Sequence, residues 1–406
     1  MHDNLSSVRR RCAGWTAKVL TAACVAGALL LGCGPRKPDA TLSRSVDGAG
    51  GARCGMSVRT DEVQEHGVDL WIAEGPRGLP GADEPYVEMG PLPWRAGKAR
   101  YHEIYEMAFS PDGRTLAMGT ADRRVVLLGA DGNEAVVALP KSAEDAAITA
   151  MAYERDGSYI VATYDGFLRR FGGTALTAMR RLSNPVKHLA FSPDGGTLAC
   201  GYIGDLPGTG GRVRKADGNG FQLVLAPGAV AWYGNDKIVY TPRHGEIVIH
   251  VLATGEERTV VRLPYGVFVI TSYSNNRVCA AGGTADFVDG NGCVSMVDCA
   301  NGTVLWSYET GVGATIRRCV VGDSDLVIGM PRYKDRIFVW DGATGKLRQE
   351  LEGTCWGTGY PLAVSPRDGT LMTGALVGEQ GMLVVFRRVH GCAGRYGRGA
   401  SSHPAR

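Results

Sequence analysis

The pentapeptide Phe109-Ser110-Pro111-Asp112-Gly113 recurs letter for letter as Phe191-Ser192-Pro193-Asp194-Gly195. Weaker echoes stand at Tyr153-Glu154-Arg155-Asp156-Gly157, Trp232-Tyr233-Gly234-Asn235-Asp236, Tyr273-Ser274-Asn275-Asn276 and Val364-Ser365-Pro366-Arg367-Asp368-Gly369. From Asp112, the turn residues fall at Asp156, Asp194, Asp236, Asn276, Asp323 and Asp368, in steps of 44, 38, 42, 40, 47 and 45 residues. A period of about 40–45 residues built from short strands is that of propeller blades, each a small sheet that buries its faces only against its neighbours. An all-β ring of seven four-stranded antiparallel blades is therefore expected.

Within each period the strands parse as inner a, then b, c and outer d. In the first they cover residues 105–109, 115–119, 124–128 and 134–139, rich in Val and Leu, with Asp-Gly-Asn at one turn. The c strands form the clearest series, at 125–128, 168–171, 212–214, 247–251, 294–297, 337–340 and 383–386. The third has little apolar content, since it reads Arg212-Val213-Arg214-Lys215. The last period supplies a, b and c and then leaves the strand pattern. An open ring would expose a sheet edge, so a strand from the N-terminal side must complete it. Residues 85–90 and 68–73 are the candidates, and the spacing before Tyr105 favours 85–90.

Arg336-Ile337-Phe338-Val339-Trp340-Asp341, followed by Gly342-Ala343-Thr344-Gly345-Lys346, resembles the WD-repeat family. Trp340-Asp341 matches that family's closing dipeptide, and Phe-Ser-Pro-Asp-Gly matches its a–b turn. The stretch from Val294 to Asp298, through Asn301-Gly302 to Leu305-Trp306, resembles a quinoprotein-type blade. The resemblance spans residues 104–389 and implies the propeller fold. The family's Gly-His dipeptide is absent from the starts of the blades, so its buried His–Asp network is not expected.

The chain ends carry other signals. Arg9, Arg10, Arg11 and Lys18 precede an apolar stretch over 19–31, which is shorter than the ~20 residues a spanning helix needs. It closes on Leu30-Leu31-Gly32-Cys33, which resembles a bacterial lipobox. That resemblance implies cleavage before Cys33, which becomes the new N-terminus and is diacylated through a diacylglyceryl group on its thiol. The domain plan expected is a lipoprotein signal over 1–32, a flexible Gly/Pro/Ser-rich tether over 33–60, the propeller over 61–390 and a Gly- and Ser-rich tail over 391–406. The protein is then exported and held on the cell membrane, facing the periplasm or exterior.

Composition narrows the partners. The chain has 44 basic and 41 acidic residues, and the first 32 hold four of the bases and one acid, leaving 40 of each. Such balance argues against a nucleic-acid footprint, which needs a clustered basic excess. Of eleven cysteines, eight remain once Cys12, Cys24 and Cys33 are set aside. Cys293 and Cys299 lie in one predicted strand, about 20 Å apart at ~3.3 Å per residue, and cannot bridge. Cys200, Cys279 and Cys319 fall in strands as small core residues. Cys54 and Cys392 flank the fold and could staple its closure.

Strand order puts the a–b and c–d turns on one face and the b–c and d–a loops on the other. The first set is short throughout. The longer insertions, at 140–147, 204–211, 284–292, 331–335, 353–361 and 376–381, all belong to the second. Function concentrates on variable loops held by a rigid scaffold. The candidate partner-binding residues are therefore Phe287, Arg332, Tyr333, Lys334, Trp356 and Tyr360, in the side-chain classes that anchor interfaces. Two Asp-Gly-Asn-Gly strings, Asp217 to Gly220 and Asp289 to Gly292, resemble parts of a calcium loop. Asp286 and Asp289 make the second the better metal candidate, but neither string has the closing bidentate acid, and turns are the simpler reading.

No residue set announces a cofactor. There is no adjacent cysteine pair, no Cys-x-x-Cys-His and no glycine-framed serine. Of the eight histidines only His244 and His250 are close, flanking one c strand. Two functions follow: a non-catalytic, membrane-tethered scaffold for envelope protein partners, or a propeller enzyme such as a quinoprotein-type dehydrogenase or sugar-lactone hydrolase.

Overall fold

The computed structural model describes residues 86–92, 103–140, 147–182, 184–202, 213–217, 222–274, 276–284, 291–311, 316–321, 325–331, 336–352, 361–377 and 380–388. The chain divides into units Met1–Ser57 and Val58–Arg406, and every described residue belongs to the second. The signal, Cys33, the tether, Cys54, residues 68–73, the C-terminal tail and Cys392 lie outside the described residues.

The described elements are all strands, in seven four-stranded sheets. Blade one comprises β2 (Ile104–Phe109), β3 (Thr115–Thr120), β4 (Arg124–Gly129) and β5 (Glu134–Ala138). Blade two comprises β6 (Ile148–Tyr153), β7 (Tyr159–Thr163), β8 (Phe167–Gly172) and β9 (Ala175–Arg181). Blade three holds β10 (Val186–Phe191), β11 (Thr197–Tyr202), β12 (Arg214–Asp217) and β13 (Gln222–Pro227). Blade four holds β14 (Val230–Trp232), β15 (Lys237–Tyr240), β16 (Glu246–Val251) and β17 (Glu257–Arg262). Blade five is β18 (Gly266–Ser274), β19 (Arg277–Gly283), β20 (Gly292–Asp298) and β21 (Thr303–Glu309). Blade six is β22 (Ile316–Val321), β23 (Leu326–Pro331), β24 (Arg336–Asp341) and β25 (Leu347–Glu352). Blade seven joins β26 (Leu362–Val364), β27 (Leu371–Val377) and β28 (Gln380–Arg388) to β1 (Tyr86–Leu92), the first described strand.

β1 pairs antiparallel with β28, from Tyr86 opposite Arg388 to Leu92 opposite Leu383. It is the missing fourth strand, in the position favoured for residues 85–90. Its hold on the ring extends to blade six. Gln349 in β25 accepts from the Tyr86 backbone N–H at 2.8 Å and donates to the Tyr86 carbonyl at 2.7 Å. The buried Tyr86 hydroxyl donates to the Gly369 carbonyl at 3.1 Å.

The core is not one mass but seven clusters, one at each junction between blades. The first joins Ile104, Leu116 and Met118 of blade one to Ala363, Met372 and Val385 of blade seven, which closes the circle. The others run round in order. This explains the strand patterns. β7 is buried at every position because blades cover both its faces, whereas β5 alternates between exposed and half-buried residues at the widening rim.

The recurrent pentapeptide has a local cause. Ser110 Oγ donates to Asp112 Oδ1 at 2.6 Å and accepts from Thr115 N at 2.9 Å. The Ser192–Asp194–Thr197 turn repeats these bonds. Gly113 and Gly195 take positive φ of 68° and 80°, which glycine adopts without a Cβ penalty. Holding one carboxylate on a hydroxyl and a backbone N–H also draws the Asp112 acid below the usual carboxylate range.

Two expectations are corrected. The third c strand was expected at residues 212–214, but β12 is the outer edge of blade three and β13 takes the inner position, parallel to β11. The reason is burial: Leu223, Val224 and Ala226 of β13 are fully or almost fully buried, a site that Lys215, which is exposed, could not fill. The swap preserves the chain path, because β13 still leaves the blade at the end where β11 does. Within the insertion expected at 376–381, Leu376, Val377, Gln380 and Gly381 are instead strand residues, with Leu376 paired to Gly381 and Val377 to Gln380.

Candidate interaction surface

The face bearing a–b and c–d turns is stitched together. Arg155 in blade two donates to the Pro193 carbonyl of blade three. Asp194 N donates to Asn235 Oδ1 of blade four at 3.1 Å, and Tyr233 of blade four donates to Asn276 Oδ1 of blade five at 3.4 Å. Burial, with the Asp325 carboxylate of blade six beside it, pushes the Tyr273 phenol of blade five up to about 12. Further out, the Trp306 indole N–H donates to the Gly342 carbonyl at 2.8 Å. A Cβ on Gly345 would fall 2.5 Å from that indole ring. Trp306, the tryptophan of the quinoprotein-like pattern, thus docks blade five onto the c–d turn of blade six. Polar turn residues here are engaged in joining blades.

A cleft of about 340 Å³ opens on this face between blades one and two, lined by Asp112, Tyr153, Arg155, Asp156 and Tyr159 among others. Its charges are already committed. Asp156 accepts from Ser158 at 2.6 Å and from Arg170 at 3.2 Å, and Asp112 caps its own turn. The cleft therefore offers mainly its aromatic walls to a ligand.

The opposite face differs. In blades one and two the b–c connections are tight bends in which Thr120 and Thr163 donate to Asp122 and Asp165, both at 2.5 Å. Arginines brace both bends. Arg124 Nε lies 3.0 Å from Asp122, and buried Arg169 donates to Thr163 at 2.7 Å with its guanidinium 4.8 Å from the Phe167 ring centre. Desolvation lowers the Arg169 pKa, opposed by the Asp165 carboxylate. The pair is an internal strut rather than a docking charge.

The long loops leave this face from neighbouring blades. Thr284 and Asn291 close the neck of one, with Thr284 N donating to the Asn291 carbonyl at 3.1 Å and Asn291 N to Thr284 Oγ1 at 3.0 Å. Pro331 and Arg336 bound the next at the ends of β23 and β24. Pro361, whose carbonyl accepts from Thr373 Oγ1 at 3.0 Å, anchors the end of the third. Phe287, Arg332, Tyr333, Lys334, Trp356, Tyr360, Asp286 and Asp289 all lie outside the described residues. The described strand ends that flank these segments, Thr284 and Asn291, Pro331 and Arg336, and Pro361, belong to blades five, six and seven. Among the described residues no group of His, Cys, Asp and Glu could hold a metal ion.

His250 lies within β16 and not beside it. Its Nδ1 is 3.1 Å from Glu257 Oε1, which also accepts from the Tyr240 hydroxyl at 3.0 Å. His250 is 8% exposed, so the trio braces three strands of blade four instead of presenting a base. Sequence reasoning missed it because Glu257 and Tyr240 approach only through pairing across β15, β16 and β17. It also missed a contact between buried Cys279 and Cys319.

These features define a seven-bladed β-propeller with a plain, stitched face and a looped one. A WD domain, G-beta repeat, matches residues 98–127, a stretch that includes β2 and β3 of blade one. Among solved structures, the crystal structure of the Myceliophteria thermophila Cps50 (Swd1) β-propeller domain is similar over 75% of this chain and 100% of that one, with 13% identity and a TM-score of 0.59. No curated protein matches the sequence. Both likenesses agree with the propeller architecture described above.

Proposed function

We propose that the chain is a non-catalytic, membrane-tethered scaffold that binds protein partners of the bacterial cell envelope through the looped face over blades five to seven. The asymmetry of the two faces carries the reading. On the plain face the turns are short and bonded to one another, whereas the long insertions spring from the other. Those insertions hold Phe287, Tyr333, Trp356 and Tyr360 with Arg332 and Lys334 among them, residue types that dominate binding hot spots. The lipobox-like ending at Cys33 and the Gly-rich segment after it support the tether, since two acyl signals hold a protein stably on a bilayer.

The test places a photo-cross-linking residue at Tyr333 or Trp356, and as control at Asp131 in the plain c–d turn of blade one. In intact cells the first two are expected to capture one and the same protein and the control none. Equal capture from all three sites, or none from any, overturns the reading. For the tether, metabolic labelling with a palmitate analogue should mark the wild type and not Cys33→Ser. An unlabelled, freely soluble wild type would remove the membrane from the proposal.

A further inference from the structure

Cys279 lies in β19 of blade five and Cys319 in β22 of blade six, with their sulfurs 3.3 Å apart. Both residues are buried, at 0% and 4% exposure. They sit in the apolar junction between the two blades, packed with Val294, Met296, Phe338 and Trp340. The strand bearing Cys319 is held in place across that junction, because Thr271 of β18 donates its hydroxyl to the Cys319 carbonyl at 2.9 Å. A disulfide has its sulfurs ~2.0 Å apart, so bonding needs an approach of about 1.3 Å.

We infer that Cys279 and Cys319 are an oxidative modification site whose disulfide covalently joins blades five and six. The chemistry is thiol–disulfide exchange with a low-molecular-weight disulfide such as oxidised glutathione. One cysteine thiolate attacks a sulfur of the oxidant, forming a mixed disulfide and releasing one small thiol. The second cysteine thiolate then attacks the protein sulfur of that mixed disulfide and releases the other small thiol. Two protein thiols become one disulfide, the oxidant is reduced to two thiols, and these take up the two protons.

The same geometry sets the timing. The hydrogen bond to Cys319 and complete burial hold the Cys279 thiol well above its ordinary range, so the folded ring contains little thiolate to start the exchange. The reaction therefore belongs to the last stage of folding, when the two blades have met but the junction still admits the oxidant. Once the blades have packed, burial shields the bond from reductants. The neighbouring thiols lie elsewhere: Cys293 directs its sulfur to the Asn291 carbonyl at 3.5 Å, and Cys299 is buried in the junction between blades four and five. The pairing rests on this contact alone and holds whichever compartment the protein occupies; the compartment decides only whether an oxidant is met.

The test refolds the full chain in a mixture of reduced and oxidised glutathione, quenches with acid, alkylates under denaturing conditions and maps unreduced peptides by mass spectrometry. The expected result is a linked peptide pair holding Cys279 and Cys319, lost on reduction and absent from both Cys319→Ser and Cys279→Ala. The same protein folded without oxidant and then exposed to oxidised glutathione should form the pair at least tenfold more slowly. Alkylated thiols at both positions after oxidative refolding, or linkage of either residue to a different cysteine, overturns the inference. A native ring that oxidises as fast as the folding chain overturns the assigned timing.

Discussion

Ring closure turns on one amide. Gln349 of blade six bonds both the N–H and the carbonyl of Tyr86, 263 positions away, and so ties the closing strand to a blade of which it is not part. Gln349→Ala removes both bonds and leaves two backbone groups of a residue that is only 2% exposed. A typical bond contributes about 1 kcal/mol net, and a stranded buried partner costs about 1–3 kcal/mol. With water able to reach the rim in part, the expected loss is about 2–3 kcal/mol. A domain of roughly 300 residues unfolds with an entropy near 0.6 kcal/mol per degree, so the melting temperature should fall by about 4 °C. Gln349→Glu tests the mechanism. At pH 7 its carboxylate can accept from the Tyr86 N–H but repels the Tyr86 carbonyl, so the variant is destabilised. Below about pH 4 the protonated acid can donate again and part of the stability should return. Differential scanning calorimetry of the three proteins decides. A Gln349→Ala protein that melts within 1 °C of wild type would refute the reasoning.

Other outcomes follow from the same frame. Deleting residues 60–95 removes β1 and opens the β28 edge, so soluble folding should be abolished; a truncation that melts cooperatively at the wild-type temperature would show that β1 does not close the ring. Arg348 and Thr344 hold the Asp341 acid at about 2, below its ordinary 3.8. A depressed native pKa means that the stabilisation is complete above about pH 5 and disappears as pH falls through about 2. Asp341→Asn should therefore cost about 1–2 kcal/mol at pH 7 and almost nothing at pH 2, as read by urea titration at both values. Gly282→Ala should destabilise by about 3 kcal/mol, because the new Cβ would lie 1.7 Å from the Gly266 carbonyl oxygen; a soluble variant with an unchanged urea midpoint would contradict that approach.

The blade count, the turn chemistry and the identity of the closing strand were legible in the sequence because each depends on short-range causes. The Ser–Asp–Gly turn makes its bonds between residues two and five apart, so the same geometry demands the same letters wherever it recurs. The position of the long loops on one face is also a consequence of strand order alone. The aromatic and basic residues proposed there were named from residue type. The described strands add only that the segments holding them begin and end in blades five to seven.

Tertiary structure decided what depends on competition between distant segments. Blade three had two candidate strands for one buried position, and β13 occupies it because Leu223 and Val224 bury where a lysine-bearing strand would not. Trp306 announced itself as a pattern, but its partner, the Gly342 carbonyl, lies in another blade. Gln349 looked like any polar residue of an outer strand, and Cys279 and Cys319 like two small core residues. Their contacts cross blade junctions, where no hydrogen-bonded strand register links the two sequences and only the packing of the finished ring brings the atoms together.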